Sequence, residues 1–312
     1  MSVAGVGEFG LIDRVTARLS YGSTVLLGPG DDGAVVAAPD ARVVASTDVL
    51  VEGRHFRRDW SGAREIGHRA AAANLADVVA MGATPTALLV ALCVPAGLST
   101  GWVEELADGL GAEAAGVGAS VVGGDMSASP TLTIAVTALG DLAGRPPVTR
   151  AGARPGDLVA LAGRTGYAAA GFTVLSRGFR TPRLLVEAYR RPEVPYSAGP
   201  LAARLGATAM IDVSDGLLAD LGHVAKASGV AIDIDRDAFE VPPQMRDAAQ
   251  ALGVDPYSWL LAGGDDHALA AAFPPATALP EGWRAIGRVA EGSGVTVDGR
   301  PFDGPAGWDH FR

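Results

Sequence analysis

Nine aspartates constrain this chain more than any other feature, because each closes a short apolar run, usually beside glycine. Asp31 and Asp32 lie in GPGDDGA, Asp48 in ASTDVLVEG, Asp77 in NLADVVAMGA and Asp125 in VVGGDMS. Asp212 and Asp215 lie in IDVSDGLL, and Asp265 and Asp266 in LAGGDDHAL. Runs this short bury as strands or single helices, so the pattern predicts an α/β protein that delivers acids to the ends of its strands. One such aspartate is ordinarily a turn-former or an N-cap. Nine in six settings point to a hard cation: Mg2+ takes oxygen ligands and shares them with substrate phosphates.

The remaining composition excludes several chemistries. Net charge is −10 over 312 residues, which argues against nucleic acid or an anionic membrane as the main partner, since both reward a basic face. Lys226 is the single lysine; it follows no Gly-x-x-x-x-Gly run, so there is no P-loop, and no kinase-type strand lysine exists either. No Gly-x-Ser-x-Gly elbow and no His-Glu-x-x-His pair occur. Cys93 is the sole cysteine and lies in the apolar run TALLVALCV, which predicts a buried structural thiol. The N-terminus has no basic start and carries Glu8, unlike a signal peptide. Residues 78–103 are uncharged, but Gly82, Pro85, Pro95, Gly97 and Gly101 interrupt them. The longest unbroken piece falls well short of the roughly 20 residues a membrane span needs. A cytoplasmic protein is expected.

Along the chain, residues 24–27, 34–38, 42–46, 86–94, 120–122 and 131–139 read as strands, with alternation from Thr131 to Val136 predicting a sheet with one polar face. Residues 63–81 and 102–115 read as helices, the second with Glu104 and Glu105 in its first turn. Pro146, Pro147 and Pro155 within 144–156 mark a domain junction. Strand 157–161, helix 167–177, a proline-broken stretch 182–200, strand 208–211, helix 217–227 and strand 230–234 follow. The order predicts a mixed α+β protein of two domains.

Gly28, Gly30 and Gly33 satisfy Gly-x-Gly-x-x-Gly literally, but a dinucleotide fingerprint must open a helix. Here two carboxylates occupy the loop, where they repel bare phosphate, and AVVAA continues as strand. Metal ions between carboxylates and phosphates turn that repulsion into a binding device. Asn74 and Asp77 are three apart and share a helix face; Asp77 is read as a metal ligand, the alternative being an Asn74–Asp77 pair that caps a loop.

The ordered motifs GEF, GPGDDGA, STDVLVEGRHF, NLADVVAMGATP, GGDMS, TRAGARPGD, IDVSDGLLADLGH, GGDDH and the closing WDHF span the chain. In them it resembles the thiamine-monophosphate kinases, of the superfamily that includes aminoimidazole ribonucleotide synthetase. Selenophosphate synthetase shares that fold but needs a reactive N-terminal cysteine (or selenocysteine) and lysine, and the hydrogenase-maturation relative needs a C-terminal cysteine; this chain has neither arrangement.

The resemblance implies a two-domain α/β fold: an ATP- and metal-binding domain over 1–143, whose strands form a barrel across a homodimer, and an α/β domain over 144–312. ATP and thiamine monophosphate would bind between them and leave as ADP and thiamine diphosphate, the last step of thiamine diphosphate synthesis. It implies several Mg2+ ions held by Asp32, Asp48, Asp77, Asp125, Asp212 and Asp215, with Asp31, Ser46 and Thr47 adjoining. It places nucleotide contacts on Thr47, Gly124, Arg150 and Ser214, thiamine-side contacts on His55, Asp265 and Trp308, and the catalytic load on Asp32, Asp215 and Arg150. The family usually has GGEDYEL where this chain has GGDDHAL, so Asp265 is one methylene shorter than usual and His267 replaces an aromatic.

The expected chemistry agrees with the absence of an obvious base. A phosphate monoester, with second pKa near 6, is already an oxyanion at neutral pH, so positioning and charge neutralisation suffice. His55 reads as a positioning hydrogen bond rather than an acid–base group. Trp308 reads as an aromatic face for the thiamine ring, or else as a plug in the core. Two other readings stay open: activation of an amide or formyl oxygen, as in purine-pathway relatives, and a non-catalytic Mg–nucleotide sensor.

Overall fold

The computed structural model describes residues 8–28 and 34–308. The chain divides into two compact units, Met1–Val78 with Ala83–Arg145, and Val79–Gly82 with Pro146–Arg312.

The first unit opens with helix α1 (Glu8–Thr16) and a two-stranded antiparallel ribbon of β1 (Val25–Leu27) and β2 (Val35–Val36). The segment after the glycine-rich loop is therefore strand, and the dinucleotide reading is excluded on structure as it was on charge. The main sheet is built from β3 (Val44–Val51), β4 (Thr84–Val94), β5 (Ser120–Ala128) and β6 (Thr133–Asp141), in the order β3-β6-β4-β5. Helices α2 (Ala63–Ala80) and α3 (Thr100–Gly116) complete the unit.

Strict alternation along β6, with Ile134, Val136 and Ala138 fully buried, fixes which face meets the core. Leu88 and Leu92 of β4 join them. The opposite face holds half-exposed apolar side chains, among them Val49 at 48% and Leu89 at 39%. Cys93 lies two residues beyond Ala91 on that second face and is partly exposed. The expected burial of its thiol is thus corrected: TALLVALCV reads as apolar throughout, but the pleat sends alternate residues to a face that is half-exposed among the described residues.

The second unit is a six-stranded mixed sheet, β12-β9-β11-β7-β10-β8, from β7 (Leu158–Ala162), β8 (Ala209–Val213), β9 (Ala231–Ile234), β10 (Ala268–Phe273), β11 (Trp283–Ala290) and β12 (Gly294–Val297). Its helices are α4 (Tyr167–Ser176), α5 (Arg183–Arg190), α6 (Ala198–Arg204), α7 (Leu217–Ser228), α8 (Pro243–Leu252) and α9 (Pro256–Ala262). Every residue of β10 is buried, as expected of an interior strand. Phe273 meets Trp283 edge to face, with ring centroids 5.3 Å apart.

Two expectations are corrected here. Residues 182–200 are not simply broken, since α5 and α6 form inside them; Pro182 sits at the N-cap of α5, where its missing N–H costs nothing. The acids, moreover, are not all at strand ends. Asp48 lies within β3, Asp125 within β5 and Asp212 within β8, and all three strands are sheet edges. Asp48 and Asp125 are exposed there, whereas Asp212 is buried and so requires a partner.

Candidate active site

In the first unit the site is organised where β3 runs beside α2. Asn74 is fully buried, accepts from the Asp48 N–H through Oδ1 at 2.9 Å, and donates through Nδ2 to the Ala70 carbonyl at 3.0 Å. One turn further along α2, the Asp77 carboxylate accepts from the Ser46 hydroxyl at 2.6 Å. Asn74 and Asp77 thus share a face as expected, and each reaches the strand, Asn74 fixing the backbone of Asp48 and Asp77 meeting Ser46. The role of Asn74 was not legible in the sequence; its only signal was its spacing from Asp77.

Thr47 points the other way. Its hydroxyl donates to Val136 O and accepts from Thr137, both at 3.0 Å, so it is engaged within the sheet. Gly124 lies opposite Val90 in the parallel β4–β5 register, and a Cβ there would overlap the Val90 carbonyl oxygen; close strand approach alone accounts for glycine. Asp125 follows it and is exposed. The His55 Nδ1 accepts from the Val51 N–H at 3.0 Å, which places the neutral ring's proton on Nε2 and makes that nitrogen a donor. Asp31 and Asp32 lie outside the described residues.

In the second unit two turns are stitched together. The segment after β8 carries Ser214 and Asp215; the GGDDH turn before β10 carries Asp265 and His267. Asp265 N–H donates to Ser214 O at 2.9 Å and His267 N–H to Val213 O at 3.1 Å. Gly264 lies so close to Ser214 that a Cβ would overlap its carbonyl oxygen. The C-terminal segment joins them: Trp308 N–H donates to Asp215 O at 2.9 Å, while the Trp308 side chain is 56% exposed. That exposure removes the core-plug reading of Trp308. Asp215, Asp265 and Trp308 are thereby tied together by backbone hydrogen bonds within the second unit.

Asp220, in the first turn of α7, holds this turn from beneath. Its Oδ2 accepts from the N–H groups of Ser214, Asp215 and Gly216 at 3.0, 3.1 and 3.0 Å. Burial first, then the nearby Asp212, push its carboxyl up to about 7. These backbone donors, which a helix N-terminus ordinarily offers to an anion, are already committed to a side chain. Arg150 lies exposed on a loop pinned by Ser228, whose Oγ donates to Arg150 O at 3.0 Å and accepts from Gly152 and Ala153 N–H.

The donor set is all oxygen and suits a hard divalent cation. Among the described residues no three His, Cys, Asp or Glu side chains stand together as a metal cage.

This arrangement of two mixed units, with acids on edge strands, defines the class. Residues 30–142 match the family described as AIR synthase related protein, N-terminal domain, and residues 154–299 its C-terminal domain. Within that class, thiamine-monophosphate kinase from Mycobacterium tuberculosis (strain H37Rv) is 47% identical over 98% of this chain and 92% of its own length. That of Corynebacterium glutamicum is 40% identical over 99% and 95%. The solved complex of AaThiL with AMPPCP and TMP superposes with a TM-score of 0.82 at 34% identity, covering 100% of this chain and 99% of that one. The chain belongs to the thiamine-monophosphate kinase family.

Proposed function

We propose that this chain transfers the γ-phosphoryl group of ATP to thiamine monophosphate, yielding thiamine diphosphate and ADP. The observation that carries the reading is the stitched pair of turns in the second unit, which ties Asp215, Asp265 and Trp308 together by backbone hydrogen bonds. It sits within a chain 47% identical, over nearly its whole length, to a thiamine-monophosphate kinase.

The acceptor arrives as an oxyanion, so the residues serve to position and neutralise rather than to remove a proton. Asp48, Asp77 and Asp125 of the first unit, with Ser46, Thr47, Asp31 and Asp32, and Asp212 and Asp215 of the second, would hold Mg2+. Bound there, Mg2+ would supply charge neutralisation to the triphosphate of ATP and the phosphate of thiamine monophosphate. Arg150 and Ser214, with the backbones of Thr47 and Gly124, would meet the nucleotide, since the Thr47 hydroxyl is engaged within the sheet. His55, through its Nε2–H, and Asp265 orient thiamine monophosphate, and Trp308 offers an aromatic face to its cationic thiazolium. Residues 1–143 act as the ATP-, metal- and dimer-forming domain and 144–312 complete the site, in a cytoplasmic enzyme.

The open apolar face of the first sheet supports a homodimer. Val49 and Leu89 stand on it half-exposed, and such a patch marks an interaction surface. The dimer-spanning barrel implied by the family covers it with a second copy.

The test is ADP release with thiamine monophosphate, with thiamine diphosphate identified by mass. EDTA is expected to abolish turnover and Mg2+ to restore it, and Asp77→Asn and Asp215→Asn are each expected to lose most of kcat with the fold intact. ADP release with aminoimidazole precursors but not thiamine monophosphate, or tight ATP binding without turnover, overturns the reading.

A further inference from the structure

His267 stands where the family usually has an aromatic, and its imidazole is not spent on packing alone. Its Nδ1 lies 3.2 Å from Asp212 Oδ2, with the two residues 5% and 4% exposed. A carboxylate in its charged form only accepts, so this contact is a hydrogen bond in the tautomer that carries its proton on Nδ1. The backbone that delivers the ring is itself constrained. His267 has φ +51, in the left-handed region that costs a side-chain-bearing residue about 1 kcal/mol or more. Its N–H extends the β8–β10 ladder to Val213 O, one step before the pair Ala268–Val213 and two before Leu269–Asp212. The strand register thus places the imidazole beside the acid of the neighbouring edge strand. Asp212 also shares this buried region with Asp220, so a donor on Asp212 offsets negative charge that burial makes unfavourable.

We propose that His267 is a positioning residue for Asp212: its Nδ1–H holds Oδ2 and so presents the other carboxylate oxygen to the divalent cation that accompanies the nucleotide. This rests on the reading of Asp212 as a cation ligand. Partners that orient ligating groups are worth about 10- to 100-fold in metal affinity or activity, whereas a ring that only fills space is replaceable by another ring.

The experiment compares His267→Phe, which keeps a ring without the donor, His267→Ala, which removes both, and His267→Asn, which restores an N–H donor and tolerates the left-handed backbone. Binding of AMPPCP is measured by calorimetry with and without Mg2+, beside a thermal melt and separate kcat and KM values. In Phe and Ala, Mg2+-dependent AMPPCP affinity is expected to weaken at least about 10-fold, while the Mg2+-free affinity is unchanged and Asn stays within about 3-fold of wild type. Wild-type Mg2+-dependent binding in Phe or Ala overturns the proposal. Equal losses in all three variants, tracking a lowered melt, overturn it in favour of packing. Nucleotide affinity of the wild type that ignores Mg2+ overturns it as well, since Asp212 then holds no cation. A wild type that binds Mg2+–AMPPCP yet forms no thiamine diphosphate sinks the kinase reading alone, and the binding comparison still decides His267.

Discussion

Replacing Gly264 by alanine is the sharpest test of how the second unit holds its site. A Cβ at this position would lie 2.9 Å from the Ser214 carbonyl carbon and 3.0 Å from that of Asp215, and would overlap the Ser214 carbonyl oxygen. Its close neighbours are all backbone, so no side chain can swing aside. Relief requires the GGDDH turn and the Ser214–Asp215 segment to separate by roughly 1.5 Å to regain ordinary contact distances. The bond Asp265 N–H to Ser214 O, at 2.9 Å, spans that gap and would stretch or break with it. Overpacking of this kind costs about 1–3 kcal/mol, or a melting temperature lower by roughly 2–4 °C per kcal/mol for a unit of this size. Because Asp215 and Asp265 move apart, kcat should fall by up to about 100-fold, as a displacement of about 1 Å at a site can produce. The control is Gly222→Ala in α7, where a Cβ meets nothing within 4 Å; it should be stabilised by about 0.5–1 kcal/mol, the usual helical gain over glycine. Thermal melts and steady-state kinetics on both variants suffice. A Gly264→Ala enzyme with wild-type melt and wild-type kcat refutes the claim that these turns are welded at contact distance.

Three further outcomes are expected. Burial, only partly opposed by the Ala168 N–H and Arg164, pushes the Asp266 carboxyl up to about 7; folding then binds a proton between the ordinary carboxylate range and about pH 7, so stability falls as pH rises through that window. Asp266→Asn keeps an acceptor for Ala168 without the charge, and should gain on the wild type in melts between pH 5 and 8 by up to about 3 kcal/mol; a constant gap contradicts the assignment. Trp308→Ala should raise KM for thiamine monophosphate about 2- to 30-fold, from a lost aromatic contact of roughly 0.5–2 kcal/mol, with KM for ATP and the melt little changed; a lowered melt with equal effects on both substrates speaks against stacking. Leu89→Glu, on the open sheet face, should convert a dimer into monomers by light scattering at micromolar concentration, and a wild type already monomeric there removes the proposed interface.

Element type was largely legible in the sequence because period is a local property. The alternation of β6 and the apolar face of α2 read directly as strand and helix. What the sequence could not carry was position within a sheet. Asp48, Asp125 and Asp212 looked like the ends of apolar runs, yet each lies within a strand; whether such an acid is exposed, as Asp48 and Asp125 are, or buried, as Asp212 is, depends on pairing and packing with distant segments. Cys93 failed for a related reason, since an apolar run gives no sign that one face of its strand is left partly exposed among the described residues. The prolines at 182–200 suggested interruption because breaker residues and helix-starting residues are the same residues.

The site shows the same division more sharply. Aspartates beside glycine are visible as motifs because close backbone approach demands both residues locally. Their supports are not. Asp220 looks like an ordinary first-turn acid of α7, and only the fold reveals that its Oδ2 collects the N–H groups of Ser214, Asp215 and Gly216. Asn74 looks like a polar residue on an apolar helix until Asp48 is found bonded to it. Leaving a buried donor or acceptor unpaired costs about 1–3 kcal/mol, and each of these side chains meets that requirement for a backbone that carries a candidate ligand. The supports follow from the backbone geometry of the acids they hold, so they become legible only once the strands are placed.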